Sequence, residues 1–411
     1  MNVNRETDSL LRRTFVSLGY RDYRLVWLGS VTEHIGEWME LAALLWLVND
    51  LTHSPLMLTI VGSCRFIPMV FFPILGGMAA DKMDRRRLLT FALLFAAILS
   101  IILAVLVKTG TVEVWHIIVL SLLSGVATSF NHPARQSMVP NLVEKSHLLN
   151  AISLDSASVQ ASRFIATPIA GFLIASYGVV PVFGARALGA LLATCWLGFV
   201  KVDLRPPPGG AKTGFRNVID GFRYVKGSAL LLTLIPLYLI PWITQNTSNN
   251  FLPIFARDIL KIGASGYGFL QAAPGLGALV SLIALAAVPY YRVNTSLLFV
   301  TSGVLGVSLF LFSVSGSPIL SMLLLLIYGG MTTSFMTINT ALIQNHISDA
   351  MRGRVMSLRE VANGAGPAGS LAFGALAERT SAPFSLALLG LMCVAISIFV
   401  AFHLSKLRKT R

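Results

Sequence analysis

Twelve apolar segments recur along the chain, and most of the connections between them are short and polar. A helix needs roughly 20 apolar residues to cross the hydrocarbon core of a bilayer, where it satisfies its own backbone hydrogen bonds. A mean hydropathy of +0.73 with 12% charged residues excludes a soluble domain. The sequence predicts an all-α membrane protein with twelve transmembrane helices, at residues 25–50, 55–80, 88–108, 113–133, 150–176, 179–200, 228–255, 264–289, 295–314, 317–342, 354–377 and 382–404.

The basic residues indicate how these helices are oriented. The chain holds 32 Lys and Arg against 18 Asp and Glu, a net charge of +14, which in a soluble protein would suggest a nucleic-acid partner. Most of the basic residues lie in alternate connections, starting with the N-terminal tail and ending with the C-terminal one. This asymmetry predicts that both termini are cytoplasmic. It makes the lipid bilayer the expected partner and leaves no role for nucleic acid.

The longest polar connection divides the chain near its midpoint. It runs from Lys201 to Lys226 and contains a Pro-Pro-Pro-Gly-Gly run at 206–210. We therefore predict a cytoplasmic tail at 1–22, a six-helix bundle at 23–200, a central cytoplasmic loop at 201–227, a second six-helix bundle at 228–405 and a tail at 406–411. Two parallel six-helix halves enclose a binding site near the middle of the bilayer.

The first apolar segment carries three carboxylates near its middle. Glu33, Glu37 and Glu40 are spaced so that all three project from one face of a helix. A carboxylate at this depth costs at least a few kcal/mol unless it meets water, a proton or a cation, so such residues indicate a functional site. The alternative is that one of these glutamates only pairs with an arginine to hold the bundle together.

Arginines in the neighbouring segments are the expected partners. Arg65 lies in the second segment and Arg163 in the fifth, where Asp155 precedes it by two turns on a similar face. A guanidinium does not lose its proton at this depth and therefore needs a carboxylate or cavity water. These pairs either tune a proton carrier or are static ion pairs. Arg186 lies nearer the end of the sixth segment, where its long side chain can extend to the membrane surface.

The seventh segment supplies uncharged polar side chains. Gln245 and Asn249 are one turn apart and share a face, which offers neutral hydrogen bonds to a cavity. A hydrated helix end at the extracellular mouth is the competing interpretation. Gln271, Asn339 and Asn363 are weaker candidates of the same kind.

The cysteines and loops give no sign of a metal or nucleotide site. Cys64, Cys195 and Cys393 all lie in apolar segments, so neither a disulfide framework nor a zinc spacing is present. The sequence contains no Gly-x-x-x-x-Gly-Lys-Ser/Thr loop, which excludes a phosphate-binding loop of that type. It also lacks a nucleophile with a partnered base. We expect no metal, no cofactor and no enzymatic activity.

A glycine- and arginine-containing motif follows the second apolar helix. The run Gly77-Met78-Ala79-Ala80-Asp81-Lys82-Met83-Asp84-Arg85-Arg86 resembles the Gly-x-Leu-Ala-Asp-Arg-x-Gly-Arg-Arg signature of the major facilitator superfamily, with Asp84 in place of the second glycine. The resemblance implies the two-bundle fold of that superfamily. It also implies a gating role at the cytoplasmic ends of the bundles for the matching residues Gly77, Asp81, Arg85 and Arg86.

Two further runs resemble one branch of that superfamily. Asn131-His132-Pro133-Ala134-Arg135-Gln136 and Gly36-Glu37-Trp38 are similar to motifs of the drug:proton antiporter branch, which includes macrolide-efflux and enterobactin-exporter proteins. The resemblance implies a multi-pass protein of the inner (cytoplasmic) membrane that works by proton-coupled efflux, and it adds Arg135 to the gating residues.

We therefore predict a secondary active transporter, a monomer whose ligands are protons and a small molecule. Three acids along one wall favour a cationic or amphiphilic drug-like cargo electrostatically, whereas an anionic siderophore would use Arg65 and Arg163. The alternatives are a lipid or lysophospholipid flippase of the same fold, and a membrane receptor that binds a ligand without transporting it.

Overall fold

The computed structural model describes residues 14–72, 83–202, 204, 222–287, 295–347 and 349–409. Within these residues the chain is helical and contains no strand. The first half begins with a 3-10 turn, Val16–Gly19, and continues with α1 Arg21–Thr52, α2 Pro55–Cys64, α3 Ile67–Phe71, α4 Arg85–Lys108, α5 Val114–Leu142, α6 Leu148–Tyr177 and α7 Val180–Gly198. The second half comprises α8 Ala229–Leu237, α9 Leu239–Ile254, a π-helical turn Phe255–Ile259, α10 Gly263–Ala286, α11 Thr295–Val314, α12 Pro318–Asn345, α13 Asp349–Arg379 and α14 Ala382–Lys409.

The helices confirm the predicted membrane protein. Nine of those in the described residues are long and apolar enough to cross a membrane. The remaining predicted segments correspond to α1, which carries the three glutamates, to α2 with α3, and to α13, whose first half is polar. Twelve crossings and two cytoplasmic termini remain predictions.

Two apolar segments are interrupted helices. Between α2 and α3 the break falls at Arg65 and Phe66, and Pro68 follows in the first turn of α3. Proline has no amide hydrogen, so it cannot donate to the carbonyl of Cys64 one turn earlier. Gly125 of α5 accommodates this break, because a Cβ there would lie 2.2 Å from the Arg65 carbonyl oxygen. The second break separates α8 from α9 at Tyr238.

The two halves of the chain meet mainly along two helix pairs, α6 with α10 and α2 with α13. Small residues bring α6 and α10 together: a Cβ at Gly171 would lie 2.6 Å from the Ala264 carbonyl oxygen, and one at Gly268 2.5 Å from the Thr167 carbonyl oxygen. Backbones approach this closely where side chains are absent or small. Ser63 of α2 donates to the Pro367 carbonyl oxygen of α13 at 3.1 Å, which ties the second pair.

The end of the molecule at which α1 begins is called the terminal face here, and the end at which α1 finishes the far face. At the far face the halves are joined by polar contacts. Glu378 of α13 accepts hydrogen bonds from Ser54 Oγ at 2.7 Å and from the Leu56 amide at 3.1 Å. A carboxylate at a helix N-terminus is favoured by the helix dipole. Asp50 and Arg257 form an ion pair at the same face. These contacts close the far face.

Candidate functional site

Each glutamate of the α1 stripe pairs with an arginine from a different helix. The three ion pairs are Glu33 with Arg135 of α5 at 3.2 Å, Glu37 with Arg65 at the α2–α3 break at 2.6 Å, and Glu40 with Arg186 of α7 at 3.3 Å. In each pair the arginine neutralises the charge of its glutamate. The three glutamates therefore give this side of α1 no net negative charge.

The Glu33 pair is buried inside the first half. Both side chains are buried, and Asn131 Nδ2 donates a further hydrogen bond to Glu33 at 2.6 Å. Arg135 was predicted at a cytoplasmic gate from the motif around it; it lies within α5 and contacts α1. A buried pair whose remaining acceptor positions are also filled suits a structural tie.

The Glu40 pair is buried as well. Ser100 Oγ of α4 donates to Glu40 at 2.6 Å, and Arg186 is only 2% exposed. The prediction that Arg186 extends to the membrane surface is wrong, because Glu40 and the first half of α7 hold its guanidinium inside the bundle. Gly36 makes room for it: a Cβ at Gly36 would lie 3.1 Å from Arg186 Cδ.

The Glu37 pair differs from the other two in its contact with solvent. The side chains of Glu37 and Arg65 are 17–18% exposed, against 10% or less for the other pairs. Beside Arg65 lies a small cavity that also borders Glu40 and Ser121, and Ser121 Oγ has no hydrogen-bond partner. Leucines and Val61 form most of the cavity wall, and the stripe glutamate that it borders is Glu40. Glu37 is therefore distinguished by the exposure of its side chain and not by this cavity.

Arg163 of α6 is a buried arginine without an ion pair in the part of the chain that the structure describes. It is 1% exposed, and its contacts are Nε to the Gln271 carbonyl oxygen at 3.0 Å, Nη2 to Asn249 Oδ1 at 2.7 Å and the ring of Trp38 at 4.7 Å. Among the described side chains it has no carboxylate within ion-pair distance. A desolvated charge costs several kcal/mol; charge-assisted hydrogen bonds return about 1.5–3 kcal/mol each and the cation–π contact about 2 kcal/mol.

The predicted pair between Asp155 and Arg163 does not form. Asp155 is eight residues earlier on α6, half-buried toward the terminal face, and within electrostatic range of Arg135. The guanidinium of Arg163 instead donates its hydrogen bonds to α9 and α10. Two residues that lie two turns apart on a similar face of a helix need not meet, because the direction in which each side chain leaves the helix decides its partner.

The stretch Gly36-Glu37-Trp38 organises these contacts. Its three consecutive residues touch three arginines from three helices: Gly36 contacts Arg186, Glu37 pairs with Arg65, and Trp38 lies under Arg163. Consecutive residues of a helix are about 100° apart, so they reach different neighbours. One short motif therefore sets the position of three buried or half-buried cations.

The polar residues of the second half are divided between the site and its surroundings. Asn249 accepts a hydrogen bond from Arg163, whereas Gln245, one turn earlier and half-buried, has no hydrogen bond to that arginine. Tyr267 was not a candidate from sequence, although it is one turn before Gln271 on the same face of α10. Its hydroxyl is close enough to Arg163 to interact with it electrostatically.

The motif residues at the terminal face tie helices within the first half. Arg85 donates to the Ser137 carbonyl oxygen of α5 at 3.0 Å, and Arg86 donates to the Gly198 carbonyl oxygen at the C-terminus of α7 at 2.5 Å. Asp84, which stands where the signature has glycine, accepts from the Arg86 amide at 2.9 Å and caps α4. Gly77 and Asp81 lie outside the described residues.

The chain matches known proteins over nearly its whole length. Residues 13–411 match the family described as "Transmembrane secretion effector". The sequence is 25% identical over 378 residues to the staphyloferrin A transporter of Staphylococcus aureus, covering 91% of this chain and 94% of that protein. It is 24% identical over 370 residues to the enterobactin exporter of Escherichia coli, covering 89% and 87%. These relatives are transporters, in agreement with the prediction that the chain is not an enzyme.

Solved structures share the fold. A transporter of the POT family in complex with 5-aminolevulinic acid superimposes with a TM-score of 0.75 at 15% identity, covering 93% of this chain and 96% of that one. The nucleoside transporter NupG gives a TM-score of 0.70 at 16% identity over 94% and 99%. A bacterial homologue of the human lysosomal transporter Spinster, in an inward-facing conformation, gives 0.65 at 14% identity over 93% and 95%.

Proposed function

We propose a specific role for this chain, which belongs to the transmembrane secretion effector family of the major facilitator superfamily: it exports small organic molecules across the cytoplasmic membrane in exchange for protons. It is a multi-pass membrane transporter, as its spans and its relatives establish. The direction of transport, the coupling ion and the membrane are parts of the proposal.

The observation that carries the proton coupling is the Glu37–Arg65 pair. A proton carrier must exchange its proton with water. It must also have a cationic partner, from which it separates when protonated and with which it pairs again when the proton leaves. Glu37 meets both conditions, since its pair is the most exposed of the three and Arg65 sits where the helix is interrupted. Protonation of Glu37 cancels the ion pair and frees Arg65, which biases the two halves toward a different arrangement.

The proposed cycle is alternating access, in which the two halves rock about a central site. In this cycle the joined far face belongs to the state whose access is from the side of the termini. If the terminal face is cytoplasmic, this is the state that receives cargo for export. Opening of the far face then lets Glu37 take up a proton from outside and carry it inward.

The names of the relatives favour a siderophore-class cargo, a polar organic molecule, over a drug-like cation. One relative is a staphyloferrin A transporter and another an enterobactin exporter. The charge distribution supports the same choice, because every stripe glutamate is paired and the electrostatic argument for a cationic cargo no longer holds.

The test is flux in proteoliposomes with an imposed pH gradient, using labelled staphyloferrin A, enterobactin and ethidium as cargo and a trapped pH dye for protons. We expect Glu37→Gln to abolish pH-driven flux while exchange of cargo at equal pH continues. The matched control is Glu37→Asp, which keeps the titrating group and should keep coupling at a lower rate. Full pH-driven flux in Glu37→Gln would contradict the proposal, as would movement of labelled lipid with none of the three molecules.

A further inference from the structure

A cluster of polar groups surrounds Arg163 at the contact between the two halves. Arg163 comes from α6 in the first half, and its hydrogen-bond acceptors, Asn249 and the Gln271 carbonyl, belong to α9 and α10 in the second. Trp38 of α1 covers the guanidinium. The cluster therefore draws on both halves of the chain and changes whenever they move apart.

Several polar atoms of this cluster have no hydrogen-bond partner. Gln271 Nε2 and Oε1 and the hydroxyl of Tyr267 have no hydrogen-bond partner, and both residues are fully buried at 0% exposure. The neighbouring Ser162 Oγ is also buried without a partner. Buried polar groups in proteins are nearly always hydrogen-bonded, so a concentration of unmet groups beside one cation indicates a missing molecule. The donors among them, an amide NH₂ and two hydroxyls, suit an acceptor-rich ligand.

The charge of the cluster selects the sign of that ligand. The groups around Arg163 are amides, phenols and an indole, all of them neutral, and no carboxylate among the described side chains pairs with the guanidinium. Guanidinium binds carboxylate through parallel hydrogen bonds better than it binds any neutral acceptor. The site therefore carries one unpaired positive charge, which an anionic ligand would neutralise.

The walls of the cluster are aromatic. Trp38 and Trp46 are eight residues apart on α1 and share a face, and the Trp46 ring lies 5.6 Å from the ring of Tyr267. Flat apolar rings beside a cation accommodate a ligand with an apolar or aromatic body and a charged end.

We propose that this cluster, composed of Arg163, Asn249, Gln271, Tyr267 and Trp38, is the binding site for a carboxylate group of the exported molecule. The inference rests on the proposed export function and names the chemical class of its cargo. The carboxylate takes the place of Asn249 Oδ1 on Arg163 and accepts from the unmet donors. Arg163 then loses its direct bond to α9, and the carboxylate bridges it to the side chains of α10, so cargo binding exchanges one contact between the halves for another.

The test uses the purified full chain and two probes of equal shape, 1-naphthoate and its neutral amide 1-naphthamide. Binding is measured by calorimetry and by the rise in unfolding temperature. We expect naphthoate to bind about 10- to 100-fold more tightly than naphthamide, which corresponds to one or two charge-assisted hydrogen bonds.

Asn249→Asp supplies the missing carboxylate from the protein itself. It should remove the preference for naphthoate without unfolding the chain, because it pairs Arg163 in place. Gln344→Glu is the matched control: it adds the same charge at an exposed position of α12, and the preference should persist. Equal affinity for the two probes, no binding of either at millimolar concentration, or an unchanged preference in Asn249→Asp would each overturn the proposal.

These outcomes are independent of the test of proton coupling. If the carboxylate site fails while Glu37→Gln still abolishes pH-driven flux, the exporter remains and binds its cargo elsewhere. If naphthoate discriminates as expected while Glu37→Gln keeps full coupling, the site stands and the proton carrier does not.

Discussion

Replacing Glu40 with glutamine tests whether the three ion pairs of α1 differ in kind. In Glu40→Gln the charge disappears while the size of the side chain is kept. Arg186 then retains a full charge at 2% exposure, with its Nη1 already lacking a hydrogen-bond partner. The same change at Glu37 leaves Arg65 in contact with solvent through a side chain that is 17% exposed. The two substitutions are chemically identical, so any difference comes from the surroundings.

The expected magnitudes follow from burial. Removing one partner of a buried ion pair costs about 3–5 kcal/mol, because the other charge stays desolvated and unpaired. For the partly exposed Glu37 pair, solvent screening lowers the expected loss to about 1–2 kcal/mol. Ser100→Ala, which deletes only the hydroxyl that donates to Glu40, should cost about 1.5–3 kcal/mol. Stability should therefore fall least in Glu37→Gln and most in Glu40→Gln.

The assay is unfolding of the purified chain in mixed micelles as dodecyl sulfate is increased, followed by tryptophan fluorescence. The double variant Glu40→Gln/Arg186→Gln leaves no unpaired charge and should be more stable than Glu40→Gln alone, giving a positive coupling between the two positions. If Glu37→Gln loses as much stability as Glu40→Gln, or if the double variant is no better than the single, the distinction between structural pairs and a titrating pair is refuted.

Three further substitutions test the contacts between helices. Gly171→Val should push α6 away from α10 and lower the free energy of unfolding by about 1–3 kcal/mol, since even a Cβ there would lie 2.6 Å from the Ala264 carbonyl oxygen. Thermal unfolding measures this loss, and an unchanged midpoint would contradict it. Glu378→Gln should weaken the contact between the halves at the far face by about 0.5–1 kcal/mol, because the N-terminus of α2 loses its anion. Distances between spin labels across the far face should lengthen, and distances equal to those of the unchanged protein would count against this prediction. Arg86→Gln should cost about 1–2 kcal/mol by freeing the carbonyls at the end of α7, which thermal unfolding of the variant checks against Arg87→Gln at the neighbouring exposed position.

The helices and the membrane environment could be predicted from sequence because both follow from local hydropathy. So could the need of the stripe glutamates for cationic partners, since an unpaired carboxylate at that depth is costly wherever the chain places it. Which arginine meets which glutamate could not be predicted. Arg186 and Glu40 are far apart in sequence, and their pairing depends on the packing of α1 against α7.

Arg163 shows the limit of reasoning from spacing. Its need for a partner was clear from sequence, and Asp155 was the nearest carboxylate on a similar face. The partners it has, an amide and a backbone carbonyl, belong to the other half of the chain. Backbone carbonyls carry no signal in a sequence, and a buried group without any partner, such as the Gln271 side chain, is recognised only when its neighbours are known.

The interruption between α2 and α3 gives the molecule a mechanical joint. Helix α2, Pro55–Cys64, is bound to α13 through Ser63 and Glu378. Helix α3 begins separately, at Ile67. An interrupted helix bends with little resistance, because the backbone hydrogen bonds that would stiffen it are missing at that level. Arg65 lies at the joint itself, so a bend there would change the direction in which its guanidinium leaves the helix.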